Sequence, residues 1–122
     1  MTAIAQSCPG SDGRPTNAYE PFPRAALDGS LPARFAQQVV RRGDRLAVKM
    51  GGESLSYDAL DRAANRVAHA VLDALGAGHE PVALLLPQSV RQISAVLGTL
   101  KAGKLYVPLE AAHEPYATYS NA

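Results

Sequence analysis

The stretch 81–110 predicts a complete strand–helix–strand unit, because a characteristic residue marks each of its boundaries. Val82–Leu86 is a continuous apolar run closed by Pro87, which is typical of a strand buried on both faces in a parallel sheet covered by helices. Ser89 then stands at an N-cap position, and apolar residues at helical spacing follow it. This unit constrains the fold more than any other part of the chain.

The end of the same unit predicts a second strand. Gly103 stands where a helix is usually broken, Leu105–Val107 begins a strand, and Pro108 is expected to end it. The sequence thus predicts an α/β fold with a mixed, mainly parallel sheet flanked by helices.

The residues upstream predict two more helices and a hairpin. Ser30 to Gly43 predicts a helix capped by serine, with a proline in its first turn. Arg45–Met50 and Glu53–Leu55 flank the turn dipeptide Gly51-Gly52, as expected of a β-hairpin. Ser56 to Gly76 keeps an apolar three–four spacing for over four turns and predicts a long amphipathic helix.

The predicted domain organisation is a flexible leader, 1–29, a partial subdomain, 30–110, and a divergent tail, 111–122. The leader is rich in proline and glycine and has no sustained periodicity. Its aromatic residues Tyr19 and Phe22, with Leu27, could equally dock onto the body or stay free. The two buried strands and one hairpin are fewer than the roughly four to six strands of a typical sheet. We therefore expect an open sheet edge or an exposed apolar face.

The composition excludes several function classes. The 122 residues, 47% apolar and 19% charged with a net charge of +1, describe an ordinary globular chain of at most one domain. This charge indicates neither a nucleic-acid partner nor an anionic membrane. Apolar runs are too short to span a membrane and no signal sequence is visible, so a cytoplasmic location is the default expectation. Cys8 is the only cysteine, which excludes an intrachain disulfide, and an incidental thiol is its favoured interpretation.

Two motifs resemble a known family. LKAGKLYVPLE at 100–110 resembles a core motif of the adenylate-forming (AMP-binding) enzymes, in particular the amino-acid adenylation domains of nonribosomal peptide synthetases, where the usual form is close to LKAGxAYVPLD. LSYDAL at 55–60 is similar to the L-(T/S)-Y-x-E-L motif of that family, and it lies at the expected distance upstream. RRGDRLAVK at 41–49 resembles the R-x-P-D-x-x-A-V run, with Gly43 in place of the proline.

The resemblance covers roughly 30–110 and implies an incomplete N-terminal portion of the large lobe of an adenylate-forming enzyme. The complete enzymes use ATP and Mg²⁺ to convert a carboxylic acid, often an amino acid, to an acyl-adenylate, and pass the acyl group to a carrier-protein thiol. Their phosphate loop, adenosine-binding motifs and catalytic lysine lie downstream of the second motif. No stretch here matches them, so no catalytic, cofactor-binding or metal-binding residue is carried over and the chain is expected to be inactive alone. Glu110 replaces the usual aspartate, and 111–122 departs from the family pattern.

Two other functions compete with this one. The chain could be a non-catalytic interaction module that completes or regulates a partner adenylation or carrier protein, with Tyr116 and Tyr119 as possible anchors. It could also be an unrelated small doubly wound binding domain, if the motif matches are coincidental. For the adenylation-domain fragment and for the interaction module, the expected partner is the remainder of an adenylation domain, or another chain, that covers the open sheet.

Several other patterns look chemical but have simpler explanations. The segment 98–105 has the G-x-x-x-x-G-K spacing of a phosphate-binding loop, but Leu105 replaces the required serine or threonine. The segment also runs from helix into strand, the reverse of that loop, so we expect Gly103 to end the helix and Lys101 and Lys104 to be solvated.

The remaining polar residues form no recognisable catalytic or metal-binding pattern. Histidine spacing fits no metal motif, and a helix cap explains Ser89, since a G-x-S-x-G context is absent. Packing and hydroxyl hydrogen bonding are the expected roles of the two motif tyrosines, and the carboxylates lie where solvated structural positions are expected. These residues are His69, His79, His113, Tyr57, Tyr106, Asp44, Glu53, Asp58 and Asp61.

Overall fold

The computed structural model describes residues 18–110, which form an α/β structure. The α/β class predicted from the sequence is confirmed, and within these residues the strands divide between two separate two-stranded sheets. In chain order the elements are a 3-10 helix (Arg24–Asp28), α1 (Leu31–Arg42), β1 (Leu46–Met50), β2 (Glu53–Ser56), α2 (Tyr57–Leu75), β3 (Pro81–Leu85), α3 (Val90–Lys101) and β4 (Leu105–Leu109).

Each of the three α-helices begins after the serine that the sequence assigns to its N-cap. Each serine Oγ accepts a hydrogen bond from the backbone N–H three residues later, which satisfies one of the unpaired donors of the first turn. The N···O distances are 3.2 Å at Ser30, 3.1 Å at Ser56 and 3.2 Å at Ser89. All three predicted helix starts are confirmed.

The predicted hairpin is also confirmed. β1 pairs antiparallel with β2, with a register irregularity between Leu46 and Val48. Gly51 in the turn has a φ of 58°, a left-handed conformation that glycine adopts without steric cost.

β3 and β4 pair in parallel, as expected of a strand–helix–strand unit. The prediction that Pro108 ends the second strand was wrong: β4 continues to Leu109, and Pro108 pairs with Leu84. Because β4 has β3 on one side alone within the described residues, it is an edge strand, where a residue without an N–H is tolerated.

The core lies between α2 and α3. Leu60, Ala64 and Ala68 of α2 are buried, as are Ala95 and Thr99 of α3. These side chains are mostly small, so the two helix backbones can approach closely. The Thr99 hydroxyl is satisfied within its own helix by donating to the Ala95 carbonyl at 2.8 Å.

One face of the β3–β4 sheet is bare within the described residues. The face with Leu84, which is 8% exposed, packs against α3. Successive side chains alternate between faces, so the registered pairs Pro81–Leu105, Ala83–Val107 and Leu85–Leu109 share the other face. All six of these residues are exposed, and we call them the bare β face. The prediction of a strand buried on both faces was therefore wrong for this part of the chain, while the expected exposed apolar face is present.

The described part of the leader is partly ordered by a feature that the sequence analysis missed, the 3-10 helix Arg24–Asp28. Five residues are too few to show a helical period, so periodicity could not predict it. Tyr19 and Leu27 are 88% and 70% exposed, and the docking of this segment depends mainly on polar contacts described below. Cys8, His113, Tyr116 and Tyr119 lie outside the described residues.

Candidate functional site

A cleft of about 490 Å³ opens at the carboxyl ends of β3 and β4, next to the start of α3. Ligands of open α/β sheets bind outside the carboxyl ends of the strands, so this is the position in the fold where a substrate would be sought. Its polar side chains are two amides and one carboxylate, which can orient a ligand but form no nucleophile–base pair. The lining residues are Leu86, Pro87, Gln88, Gln92, Pro108, Leu109 and Glu110.

The segment 98–105 runs from α3 into β4, as the sequence analysis expected. A phosphate-binding loop runs in the opposite direction and ends at a helix N-terminus. Gly103 follows the helix with a φ of 76°, the left-handed conformation that commonly terminates helices. Gly98 lies in the contact between α3 and α2, where an ideal Cβ would lie 2.6 Å from the Ala64 carbonyl oxygen. Both glycines therefore have structural explanations.

The prediction that Lys101 is solvated was wrong. Its amine forms an ion pair with the carboxylate of Asp61 on α2, and it donates to Asn65 Oδ1 at 2.7 Å. It also lies 5.7 Å from the centre of the Phe35 ring on α1. The side chains of Lys101 and Asp61 are 17% and 24% exposed, so Asp61 is not a solvated carboxylate either. Lys101 thus connects the end of α3 to both other α-helices.

The prediction that Lys104 is solvated was also wrong, since its side chain is fully buried. Its amine donates to the Gly76 carbonyl oxygen at 2.6 Å and to Glu80 Oε2 at 2.9 Å. A buried ammonium is tolerated when it is paired and hydrogen-bonded. The hydrogen bond from Lys104 is the main reason that the pKa of Glu80 lies below its ordinary value of 4.5. Lys104 therefore joins the loop after α2 to the start of β4.

A histidine lies in the same loop pair. His79 Nδ1 is 2.8 Å from the Gly103 carbonyl oxygen, a distance at which the protonated nitrogen donates a hydrogen bond. This contact, together with that of Lys104, fixes the two loops at the amino ends of β3 and β4. The contacts of His79 and Lys104 therefore stabilise the packing of these loops, at the end of the sheet opposite the cleft.

Sequence reasoning missed the lysine contacts, although one signal was available. Lys101 follows Leu97 by four residues, so the helical period places it beside the apolar stripe of α3. Lys104 had no comparable signal, because its burial results from contact with a loop 24 to 28 residues earlier in the chain.

The other candidate residues are not brought together. Tyr57 packs on Phe35 with a ring-centroid distance of 6.1 Å, and Tyr106 is 40% exposed. Exposed positions hold Asp44, Glu53, Asp58, His69 and His79. Residues 18–110 contain no group of three His, Cys, Asp or Glu side chains that could hold a metal ion. The expected absence of catalytic and cofactor-binding residues stays a prediction.

The described helices are also too short or too polar to cross a membrane.

Comparisons with known proteins identify the family. The profile of the AMP-binding enzyme family matches residues 35–118. Surfactin synthase subunit 1 of Bacillus subtilis is 36% identical over 94 residues, which cover 76% of this chain and 2% of that protein. A solved structure of the nonribosomal peptide synthetase FmoA3 is 31% identical with a TM-score of 0.68, over 84% of this chain and 11% of that one.

A second solved structure has a similar fold. The N-terminal subdomain of Klebsiella oxytoca NpsA superposes with a TM-score of 0.63 at 21% identity, over 72% of this chain and 23% of that one. At this identity the likeness shows the fold alone. The family match and the likeness to surfactin synthase subunit 1 and FmoA3 identify the chain as a member of the AMP-binding enzyme family that corresponds to the N-terminal part of an adenylation domain of the nonribosomal peptide synthetase type.

Proposed function

We propose that this chain supplies packing surface, without reacting groups, to an adenylation lobe that activates a carboxylic acid as an acyl-adenylate. The favoured substrate class is an amino acid, because the chain is similar to the nonribosomal peptide synthetase FmoA3. ATP and Mg²⁺ would be held by parts of the lobe that residues 18–110 do not contain. The acyl group would then pass to a carrier-protein thiol.

The observation that carries this proposal is the bare β face. Leu85, Leu105 and Leu109 are 60%, 59% and 47% exposed, and Val107 is 42% exposed. Soluble monomers rarely leave a large contiguous apolar surface open, and such surfaces mark interfaces. A two-stranded sheet is also marginal by itself, since about three strands or a covering helix are needed for independent stability.

The partner that we propose for this face is the remainder of the adenylation lobe. The chain spans about 2% of surfactin synthase subunit 1. In that relative, most of the protein that could pack against the corresponding region therefore has no counterpart in this chain. Apolar side chains throughout the bare β face suit permanent burial, since obligate interfaces resemble a domain core cut in half.

The test measures dye binding and catalysis on the 122-residue chain. We expect the chain to bind the hydrophobic dye ANS and to self-associate at high concentration. Val107→Lys places a charge in the bare β face and should lower both signals by half or more. Val40→Lys is the matched control, because Val40 is 87% exposed on α1, away from that face.

The catalytic part of the proposal is tested by ATP–pyrophosphate exchange with a panel of amino acids. Exchange by the isolated chain above the rate of a heat-denatured sample would refute the absence of reacting groups. Equal dye fluorescence for the wild type and Val107→Lys would refute the bare β face as an interface.

A further inference from the structure

A second surface, formed by the segment 18–22 and α1, is rich in arginine. A cleft of about 480 Å³ lies between the segment 18–22, α1 and the first residue of α2. Its walls combine aromatic rings with guanidinium groups, and we call it the arginine cleft. The residues that define it are Tyr19, Phe22, Tyr57, Arg34, Arg41 and Arg42.

The arginine cleft already holds a carboxylate, that of Glu20. Arg41 Nη2 donates to Glu20 Oε1 at 2.9 Å and to Oε2 at 2.8 Å. Arg42 Nη2 lies 3.5 Å from Oε1 of the same group. The hydrogen bond and charge of Arg41 hold the pKa of Glu20 below its ordinary value of 4.5, so the site favours an ionised carboxylate.

An aromatic contact lies two residues further along the same segment. The guanidinium carbon of Arg34 is 4.8 Å from the centre of the Phe22 ring, within the range of a cation–π interaction. Residues 18–23 form no helix or strand, and they contact the cleft as a short peptide would. Pro21 and Pro23 restrict the unbound conformations of such a segment, which lowers the entropic cost of docking.

The positive charge of the cleft exceeds the negative charge that the leader brings to it. Three guanidinium groups line the cleft with one carboxylate, which leaves a formal excess of two positive charges (3 − 1). Arginine pairs strongly with carboxylates because its planar group offers several fixed donors. The surface is therefore complementary to a segment that is more acidic than residues 19–22.

We propose that the α1 wall of the arginine cleft is a docking site for a segment of another protein that carries a carboxylate two residues before an aromatic side chain, and that residues 19–22, which form the opposite wall, occupy this site in cis. The contacts of the cis segment are partly exposed: Glu20 is 51% exposed in its side chain and Phe22 is 55% exposed. Exposed ion pairs are individually weak. The segment stays in place because its connection to the chain gives it a high effective concentration, and a stronger acidic competitor displaces it.

The experiment uses the full chain and a fluorescein-labelled peptide with the sequence of residues 17–25, with binding measured by fluorescence anisotropy at low salt. Glu20→Lys removes the cis carboxylate and should bind the peptide at least about threefold more tightly than the wild type. Asp28→Lys is the charge-matched control, because Asp28 lies in the 3-10 helix outside the cleft, and it should bind like the wild type. Equal affinities for the wild type and Glu20→Lys would overturn the proposal.

Changes in the peptide test recognition without altering the fold of the protein. A peptide with glutamine in place of its glutamate, or alanine in place of its phenylalanine, should bind about threefold or more weakly. Arg41→Ala with Arg42→Ala in the Glu20→Lys chain should reduce binding at least tenfold, with folding checked by circular dichroism. Undiminished binding of either altered peptide would refute acidic–aromatic recognition. Displacement of the probe by inorganic phosphate as effectively as by unlabelled peptide would instead show a general anion surface.

Discussion

Replacing Gly98 with alanine is the sharpest test of how α2 and α3 pack. An ideal Cβ at this position would lie 2.5 Å from Val67 Cβ and 2.6 Å from the backbone oxygen of Ala64, whereas ordinary contacts are 3.4–4 Å. A backbone oxygen cannot rotate away, so the helices would have to separate by about 1 Å in a close-packed interior.

The expected cost follows from two opposing effects. Overpacking costs about 1–3 kcal/mol, and the backbone contact places this substitution near the upper end. The higher helix propensity of alanine offsets about 1 kcal/mol. The free energy of unfolding should therefore fall by about 2 kcal/mol, which corresponds to a decrease of about 8–16 °C in Tm for a domain of this size.

Thermal and urea unfolding, followed by far-ultraviolet circular dichroism, measure this loss. Gly52→Ala is the matched control, because an ideal Cβ there meets no atom within 4 Å, and its Tm should stay close to that of the wild type. Val67→Ala should not restore the Gly98→Ala chain fully, since the Cβ of residue 67 and the Ala64 carbonyl remain. An unchanged Tm for Gly98→Ala would show that the helices do not pack at this distance.

Three further substitutions test the other contacts. Lys101→Met should lower the free energy of unfolding by about 1–2 kcal/mol, because the partly buried Asp61 loses a charge-assisted hydrogen bond. If the losses caused by Lys101→Met and Asp61→Asn add strictly in the double variant, as measured by urea unfolding, the ion pair is contradicted. The lowered pKa of Glu80 means that its contribution to stability is fully present above about pH 4.5 and is lost as the pH falls through the lowered value. Glu80→Gln should flatten this part of the stability–pH curve, and an identical curve would count against the bond to Lys104. Gly103→Ala should cost about 1–2 kcal/mol because its φ is left-handed, and a thermal scan that shows no loss would exclude this conformation.

The sequence predicted the local features of the fold and missed those set by distant contacts. Serine caps, the Gly51 turn and the break at Gly103 are properties of a few adjacent residues, and each was placed correctly. An exposed apolar face was also expected, but the burial of β3 on both faces was wrong, because an apolar run indicates what a strand can bury and not whether the described residues cover it. The solvated position assigned to Lys104 failed for the same reason, since its partners Gly76 and Glu80 approach only after folding.

The sequence predicted the family of the protein, but it did not predict the arginine cleft. The motifs at 55–60 and 100–110 indicated the family, and the predicted order of helix before strand at 98–105 argued against a phosphate-binding loop from the sequence alone. The arginine cleft was not foreseen, because its members are spread over the leader, α1 and α2. Charge counting over the whole chain also concealed it, since a net charge of +1 averages a strongly positive surface with acidic residues elsewhere.

The two exposed surfaces differ in the kind of contact that their chemistry supports. The bare β face is made entirely of apolar residues, and such surfaces are typical of permanent interfaces, whereas reversible interfaces are more polar. The arginine cleft has charged walls and an exposed carboxylate in place, so its contacts can exchange with solvent and with other anions. Salt should therefore separate the two: sodium sulfate strengthens apolar burial while it screens ion pairs. Self-association through the bare β face should increase under the same conditions that weaken peptide binding to the arginine cleft, because the first depends on water exclusion and the second on charge.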